Sequence, residues 1–81
     1  MTPPGEPRLI DARGHHCPVP SLRLRRVLDE AAPGELLRLL ADDPMARIDV
    51  PHLLAQRGDE LVSLEAADEG LTFTVRKRPA P

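Results

Sequence analysis

The chain predicts an α+β fold, a two-layer sandwich of order βαβαββ with two helices on one face of a four-stranded mixed sheet. Three observations predict it. Two segments, one following Pro20 and one over Ala46–Arg57, carry apolar residues compatible with helices. Short apolar runs bounded by glycine, proline or aspartate stand before, between and after them. The final run alternates, with Leu71, Phe73 and Val75 on one side and Thr72, Thr74 and Arg76 on the other.

In chain order, Met1–Pro7 hold three prolines and a glycine and read as a disordered lead-in, with Pro79–Pro81 a similar tail. The whole chain is therefore expected to be a single domain with tails at 1–7 and 78–81. Arg8–Ala12 is the first strand, and Gly14 permits a turn after it. A helix pattern begins at Cys17-Pro18-Val19-Pro20. Proline is tolerated in a first helical turn, where its missing N–H has no partner to lose. Pro20, Leu24, Val27, Leu28 and Ala31 recur at helical spacing and face the core, whereas Leu22 lies opposite Leu24; Pro33-Gly34 ends the helix. Glu35–Ala41 has apolar residues on both faces, as a central strand does, although periodicity alone also permits a helix. Asp42-Asp43-Pro44 is a loop positioned to cap the helix over Ala46–Arg57, whose apolar residues include Ile48, Leu53 and Leu54. Pro51 lies inside that helix, which must restart or kink there, and Gly58 closes it. Glu60–Ala66 and Leu71–Lys77 are two strands joined by Ala67-Asp68-Glu69-Gly70.

Composition excludes several classes of function. Net charge is −2, from 11 basic and 13 acidic residues, which is not the footprint of a nucleic-acid binder. With one Phe and no Trp or Tyr, no platform exists for stacking single-stranded bases, so any link to RNA runs through another protein. One cysteine cannot form an internal disulfide, the N-terminus carries no apolar signal segment, and no stretch reaches membrane-spanning length. A cytoplasmic monomer with no membrane insertion is the expectation.

Cys17 is the candidate nucleophile. It stands just before a helix N-terminus, where unpaired N–H groups and the helix dipole favour thiolate over thiol. The prolines flanking Val19 stiffen the backbone there, and His15 and His16 are candidates for tuning the thiol or shuttling a proton. A buried structural cysteine is the plain alternative, against which the polar run Arg13-Gly14-His15-His16 argues for a surface loop. Adjacent His15, His16 and Cys17 do not readily present three tetrahedral ligands, and His52 stands alone, so no metal site is expected. A hydrolytic Cys–His dyad lacks a legible orienting group. Arg23, Arg25 and Arg26 lie off the core stripe, either as a solvated face or as a docking surface for an acidic partner. Asp42 and Asp43 read as capping residues rather than as an acid–base pair.

The segment Asp11-Ala12-Arg13-Gly14-His15-His16-Cys17-Pro18-Val19-Pro20 resembles the Cys-Pro-X-Pro signature of the TusA/SirA family of small sulfur carriers. Leu22, the Pro33-Gly34-Glu35 turn, Leu37, Leu39, Ala41-Asp42-Asp43-Pro44, Asp49-Val50-Pro51 and Gly58 extend the resemblance over Leu9–Lys77. The resemblance implies the same βαβαββ sandwich. It also implies a protein-dependent sulfurtransferase in which Cys17 carries sulfane sulfur as a persulfide, without cofactor. The sulfur would come from a cysteine desulfurase or similar donor and pass to an acceptor protein, in tRNA thiolation, molybdenum cofactor assembly or sulfur oxidation. Pro18 and Pro20 would be structural, and Arg13 and Gly14 would shape the preceding loop. One departure is His15, at a position often apolar in the family. Two other functions remain open at the level of sequence: an interaction or regulatory module, for example a partner of a sulfur-compound transporter, and a thiol that senses oxidants.

Overall fold

A computed structural model describes residues 7–16 and 18–79. The elements run β1 (Arg8–Asp11), α1 (Val19–Glu30), β2 (Leu36–Ala41), α2 (Ala46–Arg57), β3 (Glu60–Ala67) and β4 (Gly70–Arg76). This is the predicted order and the predicted α+β sandwich. The boundaries shift by a residue or so. Ala12 leaves the first strand, β3 extends to Ala67, and β4 begins at Gly70 because Gly70 pairs with Ala67 across a turn of Asp68 and Glu69.

The sheet is mixed, in the order β1-β2-β4-β3. β1 pairs in parallel with β2, while β4 lies antiparallel between β2 and β3. The register sets Ile10, Leu37, Leu39, Phe73 and Val75 on one face, and all five are buried. An irregularity between Leu61 and Ser63 leaves Val62 unpaired and exposed on β3. Leu24 and Leu28 of α1, with Ala46, Val50 and Leu54 of α2, close over that face to complete the core. Each such leucine or phenylalanine contributes about 1.5–3 kcal/mol by leaving water.

α1 buries Pro20, Leu24 and Leu28, with Ala31 buried just past its end, and leaves Leu22 exposed, as the helical spacing predicts; Val27 is half-buried. It ends at Glu30, ahead of Pro33-Gly34. α2 continues through Pro51, at the loss of one hydrogen bond to the Arg47 carbonyl. Its apolar residues divide: Val50 and Leu54 face the core, whereas Ile48 is 63% exposed. The helix stops at Gly58, where the N–H groups of Gly58 and Asp59 both donate to the Leu54 carbonyl, at 2.8 and 3.1 Å. No helix among the described residues is long and apolar enough to cross a membrane.

The pairing fixes which ends meet. β1 and β2 run the same way, and β3, two antiparallel steps from β2, runs that way too. Each helix must return between parallel strands, so both helix N-termini lie at the end where β1 and β2 finish. The opposite pole is bound tightly. There Gly34 donates to the Lys77 carbonyl and Lys77 to the Glu35 carbonyl, at 3.0 and 2.9 Å, and the Lys77 ammonium donates to the Leu28 carbonyl at the C-terminal end of α1. Arg57 bridges Asp29 and the fully buried Asp59 carboxylate at 2.7 and 2.8 Å, and Arg78 donates its N–H to Asp59 and a guanidinium N–H to the Arg57 carbonyl. Burial pushes the Asp59 carboxyl up, but the N–H of Arg78 and the guanidinium of Arg57 more than offset it, so its pKa lies below the ordinary value.

Candidate functional site

The loop leading to Cys17 is assembled from β1 outward. Ala12 is fully buried and donates its N–H to Leu40 at 2.8 Å, so the strand end is fixed. Asp11 then folds Arg13 back: its carboxylate accepts the Arg13 N–H at 3.1 Å and two guanidinium N–H groups at 2.9 Å each. Those hydrogen bonds hold the Asp11 carboxyl at a pKa of about 2. Arg13, expected to shape the loop, thus makes its charged contacts with the strand end.

Gly14 follows with φ +84, a backbone conformation that side chains with a Cβ rarely adopt. This turns its N–H onto Asp42, whose two carboxylate oxygens accept it at 3.0 and 2.9 Å. The bond ties the β1–α1 loop to the β2–α2 loop. Asp43 holds the turn ahead of α2 rather than capping the helix as expected: its Oδ1 accepts the Met45 N–H at 2.9 Å and its carbonyl the Ala46 N–H at 3.0 Å, while Met45 itself is the N-cap and no side chain among the described residues caps the helix. The adjacent aspartates therefore have separate tasks, and the anchoring role of Asp42 is one that sequence reasoning missed.

His15 and His16 are exposed, and His16 Nδ1 approaches Asp43 Oδ2 at 3.7 Å. With His16 96% exposed, this contact is worth well under about 1 kcal/mol and does not fix the ring. Cys17 itself lies outside the described residues. On its far side Pro18 precedes α1, the Val19 N–H returns to the His16 carbonyl at 3.0 Å, and Leu22 donates to the Pro18 carbonyl at 3.0 Å. Pro20, in the first turn of α1, is buried and seats this end of the helix in the core. No side chain caps the α1 N-terminus among the described residues.

Around this pole lie four of the large apolar side chains that remain exposed: Val19 and Leu22 in the first turn of α1, Met45 and Ile48 at the start of α2. The off-stripe position of Leu22 was the sequence signal for them; Met45 and Ile48 gave none, because their exposure depends on how α2 is rotated. The arginines on α1 separate. Arg23 and Arg26, three apart, face β1, where Arg23 donates to the Asp11 carbonyl at 2.8 Å. Arg25 lies on another side of the helix, three residues from Leu22.

Two helix N-termini, a loop anchored at Gly14 and a rim of exposed apolar side chains meet at one pole of a small α+β sandwich. The family model described as sulfurtransferase TusA matches residues 8–77, and the chain belongs to the TusA/SirA family. It is 41% identical over 68 residues to a protein named as a candidate sulfur carrier from Archaeoglobus fulgidus, covering 83% of this chain and 88% of that one. It is 35% identical over 70 residues to the sulfur carrier protein TusA of Pseudomonas paraeruginosa, covering 86% and 89%. A crystal structure of a SirA-like protein from Desulfitobacterium hafniense superposes with a TM-score of 0.73 at 23% identity, covering 89% of this chain and 97% of that one, and shares its fold. Family membership supports a sulfur-carrier role, with a sulfur donor and a sulfur acceptor as partners.

Proposed function

We propose that the protein relays sulfane sulfur as a persulfide on Cys17, accepting it from a donor such as a cysteine desulfurase and delivering it to an acceptor protein. The observation that carries this reading is the clamp of Gly14 on Asp42, which holds the segment entering Cys17 at the pole where both helices begin. Partial positive charge from the helix ends favours a thiolate there.

In the first transfer the Cys17 thiolate attacks the outer sulfur of the donor's persulfide. A new sulfur–sulfur bond forms, the donor's own bond breaks, and the donor cysteine leaves as thiolate, so no external oxidant or reductant is consumed. In the second transfer an acceptor thiolate attacks the outer sulfur on Cys17, which leaves as thiolate in turn. Because the chain has no other cysteine, the persulfide cannot close to an internal disulfide and must go to another molecule. The apolar rim of Val19, Leu22, Met45 and Ile48, with Arg25 beside it, supplies a surface on which donor and acceptor dock in succession. His15 and His16 stand exposed beside this surface and are the groups available to exchange protons there. A reducing cytoplasm suits a solitary thiol used by a monomer in this way. The destination of the sulfur is tRNA thiolation, molybdenum cofactor assembly or sulfur oxidation.

Intact-protein mass spectrometry after incubation with a cysteine desulfurase and cysteine, without reductant, tests the relay. A gain of one sulfur, reversed by dithiothreitol and absent in Cys17→Ala, is expected. No gain from desulfurase, thiosulfate or polysulfide would replace the relay with a non-covalent interaction module.

A further inference from the structure

β1 is an edge strand, and its free side opens into a groove of about 320 Å³ formed with α1 and lined in part by Arg8, Leu9, Asp11, Arg23, Arg26 and Val27. Because the Ala12 N–H points to β2, strand alternation turns the main-chain groups of Leu9 and Asp11 outward, toward the groove. Arg23 already uses one of them, donating to the Asp11 carbonyl at 2.8 Å. This leaves the N–H and C=O of Leu9 and the N–H of Asp11 along the edge.

The groove's charge is one-sided. Arg8 is paired with Glu35 at 2.8 Å, but neither Arg23 nor Arg26 meets a carboxylate among the described residues. The one acid in the lining, Asp11, is engaged by Arg13. Leu9, at 60% exposure, gives the strand an apolar side chain that nothing covers among the described residues. A chain with net charge −2 therefore presents cationic groups beside unpaired strand edge at this one groove.

We infer that the β1–α1 groove binds an extended acidic segment of a partner protein, which adds as a strand to β1 at Leu9 and sets its carboxylates against Arg23 and Arg26. Main-chain bonds along the edge supply register, and the guanidinium groups select for acid over base. The groove shares no lining residue with the apolar rim of Val19, Leu22, Met45 and Ile48.

The probe is a short peptide of alternating glutamate and valine, titrated into the ¹⁵N-labelled full chain at low salt. Shifts concentrated at the Leu9, Asp11, Arg23 and Arg26 amides are expected, with affinity falling about tenfold in Arg23→Glu/Arg26→Glu. Arg26→Glu alone, which leaves the Arg23–Asp11 bond intact, should give a smaller loss in a folded protein. Equal binding of a lysine–valine peptide, no shift at any of these amides, or shifts on α1 without Leu9 and Asp11 would overturn the inference. It does not rest on sulfur chemistry. Cys17→Ala should bind the peptide unchanged, so a failed relay and a failed groove are told apart.

Discussion

Asp42→Ala removes the hydrogen bond by which Gly14 ties the β1–α1 loop to the β2–α2 loop. The Gly14 N–H lies between the two Asp42 oxygens at 3.0 and 2.9 Å. A hydrogen bond to a charged acceptor contributes about 1.5–3 kcal/mol, and exposure of both partners lowers this to about 1–2 kcal/mol. Losing it lowers the ratio of anchored to released loop by a factor of about 5–30. If sulfur acceptance requires the anchored loop, the rate at which Cys17 gains sulfur should fall in Asp42→Ala, by at most that factor. Asp42→Asn, which keeps one acceptor oxygen but no charge, should fall less. Time-resolved intact mass spectrometry reads the transfer, and hydrogen exchange at the Gly14 amide reads the anchor. Alkylation of Cys17 by iodoacetamide, a reagent that needs no docking, separates an effect on the loop from one on partner binding. Faster Gly14 exchange with an unaltered transfer rate would refute the argument that the anchor serves the chemistry.

The other predictions concern stability and docking. Because the Asp59 pKa is lower in the folded chain, the carboxylate's contribution is complete above the ordinary carboxylate range and is lost as pH falls through it toward the folded value. Denaturant midpoints measured from neutral pH down to about pH 3 should fall less steeply for Asp59→Asn than for the wild type, and equal slopes would count against the Arg57–Asp59–Arg78 network. Gly70 has φ +138, and an added Cβ would stand 2.7 Å from the Ala41 carbonyl oxygen. Gly70→Ala should therefore lower stability by about 2 kcal/mol or more, read by thermal unfolding. Arg25→Glu should slow sulfur acceptance from a desulfurase at low salt without shifting the melting temperature, whereas adding Arg26→Glu should slow it little further, since Arg26 faces β1; an unchanged rate in both would remove Arg25 from the docking surface.

The strands and helices were legible because their apolar spacing is regular. Leu24 and Leu28 recur on one face of α1, and Leu71, Phe73 and Val75 alternate along β4, so burial could be assigned before any coordinates. Cys17 was legible as a candidate because prolines and a glycine surround it. The anchor was not. Gly14 and Asp42 are 28 residues apart, and only the parallel pairing of β1 with β2 brings their loops together. The division of the arginines was hidden for a related reason. Periodicity says that Arg23, Arg25 and Arg26 all avoid the core, but which of them faces β1 depends on where the helix lies on the sheet. The ion network around Asp59 joins residues from α1, the end of α2 and the chain beyond β4, and no short motif announces it.

This arrangement places rigidity and access at opposite ends of the sheet. At one pole the buried Asp59 carboxylate, Arg57 and the main-chain bonds of Gly34 and Lys77 fasten both helix C-termini to the last strand. At the other, the helix N-termini meet two loops joined by Asp42 and ringed by exposed apolar side chains. A carrier that must dock on two proteins in turn needs a surface that is ordered without being closed. Fastening the far pole allows that, because the helices are held from behind and their N-terminal ends need no covering contacts. Substitutions at the Asp59 pole should consequently act on stability, and those at Asp42 or Arg25 on transfer, with little mixing between them because the two sets share no partners.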